Sequence, residues 1–335
     1  MPRIRNRTKK AYIDYVQVAQ WSLQDRLKPP AINRLITFGG GLGDHLLCTA
    51  LFRALRERHE TNLWMMSDFP ALFAHNPDVD RVVPSHEYYI KLGQRFNVYQ
   101  KTTYTTHITA EHRDMPPSHH LIANMASFLN IEGDIALRPF VYLTEAERQA
   151  GRLAARQIAV QSSIASARYP IITKEWYPKR VQAVVDALYP DYTIVQVGLA
   201  DDPPLLNALD LRGKLSLRQT AAILATSQLF IGQVGFLMHL ARAVDCRAVI
   251  VFGGREHPRQ SGYVANTNLY TDIACAPCWL WDGCPIQREC MRQISSDMVI
   301  DAAMSQLARH EEPLELERVV IPKLHDIPEL AAYYG

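Results

Sequence analysis

The sequence has no apolar run near the roughly 20 residues that a helix needs to cross a bilayer. It has no surplus of one charge either: 36 lysines and arginines face 34 aspartates and glutamates. The first absence argues against a membrane-spanning chain and the second against wholesale nucleic-acid binding. No repeat of fixed period is present, which excludes a solenoid. No G-x-G-x-x-G follows a predicted strand, so the fingerprint of a dinucleotide-dependent oxidoreductase is missing, and Asp68 near the end of the second predicted strand carries little weight alone. The basic start, Met1 to Lys10, leads into no long apolar segment and so lacks the second half of a secretion signal. The expectation is a cytoplasmic chain, peripheral at the inner membrane if the basic start and Trp21 meet anionic headgroups. Helix-like spacing of Ile13, Val16, Ala19 and Leu23 makes a docking helix over 11–27 the plainer alternative.

What is present is a long alternation of strands and helices. With 335 residues and 48% hydrophobic content, the chain can bury a sizeable core and divides most simply into two domains. Arg34 to Phe38 predicts a buried strand, Gly39 to Gly43 a tight turn, Asp44 to Arg58 a helix and Thr61 to Met66 a second strand. Residues 85–120 predict loops and short elements, and 144–160 a helix. The rhythm then restarts, with helices at 176–188, 216–225 and 236–244 and strands at 192–197, 228–232 and 248–252. The expected division is a basic extension over 1–30, an acceptor-side α/β domain over 31–160, a donor-binding α/β domain over 170–312 and a tail over 313–335. Parallel sheets bind ligands beyond the carboxyl ends of their strands, so two of them place a cleft between the domains.

Three turns follow strands. Gly39-Gly40-Gly41-Leu42-Gly43-Asp44 frees backbone amides at a helix start, and Gly41 and Gly43 let a ligand approach closely. Asp44 there is either an N-terminal capping residue or a reacting carboxylate. Ile231 to Ala241 repeats the device, with Gly235 at the turn and His239 one helical turn further on. Phe252 to Pro258 is a ligand loop or simply a turn.

In this order, these pieces resemble glycosyltransferase family nine, the ADP-heptose:lipopolysaccharide heptosyltransferases. Gly43-Asp44 resembles the family's glycine-aspartate turn and Lys174-Glu175-Trp176 its lysine-x-tryptophan segment. Asp210-Leu211-Arg212-Gly213-Lys214-Leu215-Ser216-Leu217 is similar to its Asp-Leu-Thr-Gly-Lys-x-Ser-Leu stretch. Gly235 with Met238-His239-Leu240-Ala241 resembles the signature that begins Asp-Ser/Thr-Gly, and Phe252-Gly253 resembles Phe-Gly-Pro. Gln233 stands where that signature has aspartate, Val234 where it has a hydroxyl residue, and Gly254 where the loop has proline. The resemblance spans about residues 33–310 and implies an α/β, GT-B fold of two Rossmann-like domains that close around the donor.

It further implies metal-independent, inverting transfer of a heptose-like sugar from a nucleotide sugar, ADP-heptose, to a lipopolysaccharide core or another surface glycan. Asp44 would be the base. Lys174, Asp201, Leu215, Gln233, Val234, Gly235 and His239 would meet the donor, with Asp202 the alternative to Asp201. Arg113, His119 and His120 fall where the family places acceptor loops, and the acceptor would be a glycan or a lipid-linked glycan. A protein acceptor such as an adhesin is the alternative within the class. A non-catalytic nucleotide-sugar-binding subunit is the alternative outside it, favoured by Gln233. No cofactor is expected for catalysis. Cys275, Cys278, Cys284 and Cys290 lie in one short stretch and suggest a structural zinc or iron, against the plainer reading of four reduced thiols.

Overall fold

The computed structural model describes residues 18–23, 31–168 and 170–321. The first half is an open parallel sheet. Strand β1 (Arg34–Phe38) carries the fully buried Leu35 and Ile36 through its centre. The glycine turn leads into helix α1 (Leu42–Glu57), where Leu47, Ala50, Leu51, Ala54 and Leu55 recur every three or four residues and are all buried. After it come β2 (Leu63–Met66), β3 (Arg81–Val83), α2 (Glu87–Arg95) and β4 (Tyr99–Thr102), giving the strand order β3-β2-β1-β4. A short antiparallel hairpin, β5 (His107–Ile108) and β6 (Arg113–Asp114), precedes α3 (Leu121–Phe128) and β7 (Gly133–Ala136).

The second half starts with α4 (Glu145–Gly151) and β8 (Gln157–Gln161) and proceeds through α5 (Pro178–Leu188), β9 (Thr193–Val197), β10 (Ala208–Asp210) and α6 (Leu217–Thr226). It continues with β11 (Leu229–Gln233), α7 (Phe236–Ala243), β12 (Ala248–Gly253), α8 (Pro258–Ser261), β13 (Thr267–Tyr270), α9 (Glu289–Gln293) and α10 (Ser296–Ala308). Its six strands are parallel in the order β10-β9-β8-β11-β12-β13. The chain runs outward one way from β8 and the other way from β11, so the crevice beyond their carboxyl ends is the switch point that favours ligands.

The single helix expected over 144–160 is a helix and a strand. Gly151 ends the helix close against α6, where a Cβ would lie 2.2 Å from the Ala222 carbonyl oxygen. Gln157-Ile158-Ala159-Val160 then enters the second sheet between β9 and β11. The expected domain boundary therefore moves toward the N-terminus, because β8 belongs to the second sheet. The tail does not stand apart either: β14 (Arg318–Ile321) returns to pair antiparallel with β7 of the first half. One apolar cluster runs through both halves, from Leu46 and Leu51 to Met238 and Phe252. Within residues 18–23, Trp21 packs against His86 and Tyr89 at 5.6 and 5.2 Å between ring centroids, as a docking segment would; the rest of 11–27 lies outside the described residues. No helix among the described residues is long and apolar enough to cross a membrane.

Candidate active site

The turn after β1 places a carboxylate at the mouth of the crevice. Gly41 caps α1, and Asp44 folds back so that its Oδ2 accepts the Gly41 N–H at 2.7 Å. A Cβ on Gly40 would lie 2.1 Å from that oxygen and 2.7 Å from the Phe38 ring, so glycine is what leaves the space. The other oxygen, Oδ1, accepts the Tyr104 hydroxyl at 2.9 Å. Burial pushes the Asp44 pKa up, while Tyr104, Gly41 and the positive charge of Lys174 pull it back. A carboxylate held above its usual range takes a proton more readily than a free one. Asp44 is thus a capping aspartate with a second, long-range hydrogen bond.

A second helix start faces it. Gly235 caps α7 without any side-chain partner, and a Cβ there would meet nothing within 4 Å. A Cβ on Gly43 would come to 3.7 Å from Phe236 Cα and 3.9 Å from the His239 ring, so the two first turns nearly touch. Just before α7, Gln233 is buried, and its Oε1 accepts the Trp176 N–H at 2.6 Å. Its Nε2 has no protein partner, which leaves a buried donor at the end of β11. Trp176 is itself buried and donates Nε1–H to the Ile294 carbonyl at 3.1 Å. These bonds hold the Lys174–Trp176 segment beside the switch point.

Lys174 ends a 3-10 turn, Ile172–Lys174, and its ammonium pairs with Glu256. Glu256 also takes Arg255 Nη1 at 2.6 Å and the Ser261 hydroxyl at 2.5 Å. Arg255 reaches across to the first half, where Nη2 donates to Asp114 at 2.7 Å. Four side chains of alternating charge therefore run from hairpin to crevice: Asp114, Arg255, Glu256 and Lys174. Burial would raise the Glu256 pKa, but the two cations hold it down at about 2. Burial lowers the Lys174 pKa, and Glu256 opposes that.

The remaining expected site residues are spread out. His239 is buried, with Nδ1 2.6 Å from the Tyr263 hydroxyl, and desolvation drives its pKa to about 3. It is a neutral, packed residue within reach of the Lys174 and Glu256 charges. His120 is not an open acceptor contact. It caps α3 through Nδ1, its Nε2–H donates to the Gly262 carbonyl at 3.0 Å, and burial takes its pKa to about 4. His119 is exposed beside Ser118, and Arg113 pairs with Glu111 at the hairpin. Asp201 is exposed beyond β9, while Asp202 is buried and accepts the Leu199 N–H at 2.8 Å. Leu215 is half-buried against the core and Val234 lies within it.

The four cysteines sit in one loop at different depths. Cys275 is exposed, Cys278 and Cys284 are half-buried, and Cys290 is buried at the start of α9. Among the described residues no group of three or more His, Cys, Asp or Glu is arranged to hold a metal. The loop packs instead: a Cβ on Gly254 would come within 2.9 Å of Cys290 Cβ, which explains the absence of proline there, and Cys284 Sγ accepts the Arg288 N–H at 3.2 Å. The loop also joins the first half, with Asp114 N–H on the Trp279 carbonyl and Trp281 N–H on the His112 carbonyl.

Sequence reasoning missed Tyr104, Asp114, Arg255 and Glu256 as site residues. Arg255 and Glu256 sit in the turn after β12 that was singled out, but only the fold turns them toward Lys174. A groove lined by Arg156, Tyr192, Asn207 and Leu209 opens at the amino ends of β8, β9 and β10, the wrong edge for a switch-point ligand.

Known proteins resemble the chain in part of its second half and in its overall fold. Residues 199–280 match the family described as Glycosyltransferase family 9 (heptosyltransferase). No curated protein matches the sequence. Among solved structures, ADP-heptose lps heptosyltransferase II of E. coli is similar at 14% identity and a TM-score of 0.60, over 83% of this chain and 99% of that one. The iron-containing dodecameric glycosyltransferase TibC of enterotoxigenic E. coli is similar at 18% identity and a TM-score of 0.63, over 83% and 78%. TibC in complex with ADP-D-beta-D-heptose gives 18% and 0.62, over 83% and 77%. At these identities the likeness is one of fold. The expected GT-B architecture is borne out, and so is the family resemblance over the matched segment.

Proposed function

We propose that this glycosyltransferase fold moves a sugar from a nucleotide-sugar donor to an acceptor hydroxyl with inversion, Asp44 serving as the base. The observation that carries the reading is the Asp44 carboxylate, held with a raised pKa at the start of α1 and facing the uncapped start of α7 and the Lys174 ammonium. In the proposed step the acceptor oxygen attacks the anomeric carbon as its proton passes to Asp44. The bond from that carbon to the diphosphate oxygen breaks, and the leaving charge develops toward Lys174 and the amides that follow Gly235. Those fixed groups stabilise it without reorganisation. Gln233 Nε2 donates to a donor oxygen, which satisfies an otherwise unpartnered buried amide.

The finer assignment is ADP-heptose as donor and a lipopolysaccharide core or other surface glycan as acceptor. Its support is the ADP-D-beta-D-heptose complex of TibC and the similarity to the E. coli ADP-heptose lps heptosyltransferase II. Asp201 and Leu215 flank the donor's nucleoside in this reading, and Arg113 with His119 meets the acceptor. The site lies in the cytoplasm, with peripheral contact at the membrane that carries the acceptor. A structural metal at the cysteine loop draws its support from the iron-containing TibC alone, since no group of three or more His, Cys, Asp or Glu among the described residues is arranged to hold one. Elemental analysis of the purified protein reads that point directly.

The test is a melting series against ADP, UDP, GDP and ADP-D-β-D-heptose, repeated with Asp44→Asn. A ligand at about 100 times its dissociation constant adds roughly 2.7 kcal/mol to stability. The expected result is a shift with ADP and its heptose in both proteins, and turnover in the wild type alone. A wild type that binds but never releases ADP with any acceptor supports the binding-subunit reading instead.

A further inference from the structure

One stretch of the first half touches both sides of the proposed chemistry. Tyr104 begins it. Its ring lies over Phe38 with centroids 5.4 Å apart, its carbonyl accepts Asn124 Nδ2 at 3.2 Å, and its hydroxyl donates to Asp44 Oδ1 at 2.9 Å. Asp114 ends it. Its N–H is fixed on the Trp279 carbonyl at 3.1 Å and its carboxylate takes Arg255 Nη2 at 2.7 Å. Arg255 is only 1% exposed, and its other arm holds Glu256, the partner of Lys174.

A buried guanidinium must keep its charge compensated. With Asp114 neutralised, Arg255 would draw harder on Glu256 and loosen that carboxylate's hold on Lys174. Without the Tyr104 hydroxyl, Asp44 keeps only the Gly41 amide. We propose that residues 104–114 form one positioning segment, in which Tyr104 sets the Asp44 carboxylate and Asp114, through Arg255 and Glu256, sets the Lys174 ammonium. The proposal rests on the reading of Asp44 as base and Lys174 as partner of the diphosphate. It makes one stretch of the first half, the hairpin and the residues just before it, responsible for aligning both.

The charged and titratable groups facing Asp44 are Lys174 from the second half, Asp114 from β6, the Cys48 thiol one turn along α1, kept neutral by burial, and the Tyr104 hydroxyl itself. The two ends of the segment therefore act in opposite senses. The Tyr104 hydroxyl favours the charged carboxylate, and Asp114 disfavours it.

The experiment uses the full chain and three variants, Tyr104→Phe, Asp114→Asn and Asp114→Glu, each checked first for a cooperative melt. The Asp44 carboxyl is titrated by carbon NMR, its signal assigned by loss in Asp44→Asn, and nucleotide affinity is read calorimetrically with ADP, UDP and GDP. In Tyr104→Phe the Asp44 titration moves up by about one pH unit, with nucleotide affinity kept. In Asp114→Asn the affinity for the preferred diphosphate falls several-fold and the Asp44 titration does not rise, while Asp114→Glu regains affinity. An Asp44 titration unmoved in Tyr104→Phe overturns the proposal. So does an affinity equal to wild type in Asp114→Asn, or a wild type that binds none of the three nucleotides. Transfer at full rate by Asp44→Asn would instead overturn the base assignment on which the proposal stands.

Discussion

Two helices begin at the crevice, and their first turns are built in opposite ways. In α1 the turn carries its own anion: Asp44 closes back on the Gly41 amide. In α7 the turn carries no acidic side chain and no side-chain cap, and Gly235 keeps its surroundings open. A helix start attracts negative charge either way. The first has already satisfied that attraction internally, so a phosphate there would meet a carboxylate. The second leaves its amides to a ligand, with Lys174 nearby as a further positive group. In the proposed mechanism, proton transfer and diphosphate binding fall to two neighbouring, similar-looking turns.

Four changes would break or sharpen this contrast. The largest effect is expected from Asp44→Asn, which keeps the shape and removes the base. Transfer should fall about 10²- to 10⁴-fold while nucleotide binding stays near wild type in calorimetry. A variant that transfers normally would end the distinction between the turns. Next, Lys174→Met should slow turnover on the order of 10²-fold and also weaken diphosphate binding, the signature of a group on the second turn's side. If only the acceptor KM changes, the sides have been assigned the wrong way round.

Third, Gly40→Ala pushes a methyl into the Asp44 carboxylate, whereas Gly43→Ala places one at ordinary contact distance. The first should cost about 1–3 kcal/mol in denaturant melts together with activity. The second should cost little and gain helix propensity. Equal costs would mean that Asp44 is not held where described. The mildest effect is that of pH. His239 and His120 have folded pKa values near 3 and 4 against 6.5 unfolded, so the unfolded chain takes up their protons first as pH falls. Stability is complete above about pH 7.5 and should decline by about 1 kcal/mol for each histidine between pH 7.5 and 5.5. Glu256, lowered to about 2 from 4.5, adds its own loss only at more acid pH. His239→Gln, which keeps a neutral hydrogen-bonding group, should flatten part of the slope in the first window.

Much of the fold was legible. Strand β1, its glycine turn and α1 announce themselves through the run of buried apolar residues and the period of the helix. The same holds for β11 and α7. The region from 144 to 160 was harder, because Ala-Ala-Arg-Gln-Ile-Ala-Val suits a helix locally. Only the gap between β9 and β11 decides that Ile158 and Val160 extend as a strand. Asp44 and Gly235 could be picked out because strand ends and glycines mark their places, whereas Lys174 was reached only through the family resemblance of Lys174-Glu175-Trp176. Tyr104 and Asp114 could not, since they belong to a stretch with no period and act through contacts 60 and 141 residues away in sequence. The cysteines are a different case: closeness along the chain suggested a shared metal, and the loop sets them at different depths, with Cys275 exposed and Cys290 buried against Gly254.

The return of β14 to β7 sets a mechanical limit on the two halves. The polypeptide passes between them once ahead of α4 and again between α10 and β14, so two tethers join the lobes. Bodies joined at two points keep one easy freedom, rotation about the line through those points, and lose most sliding and twisting. A rotation about that line would carry Asp44 and Lys174 apart and back along one arc. A chain cut before Arg318 would lose the β14–β7 pairing and keep one of the two tethers.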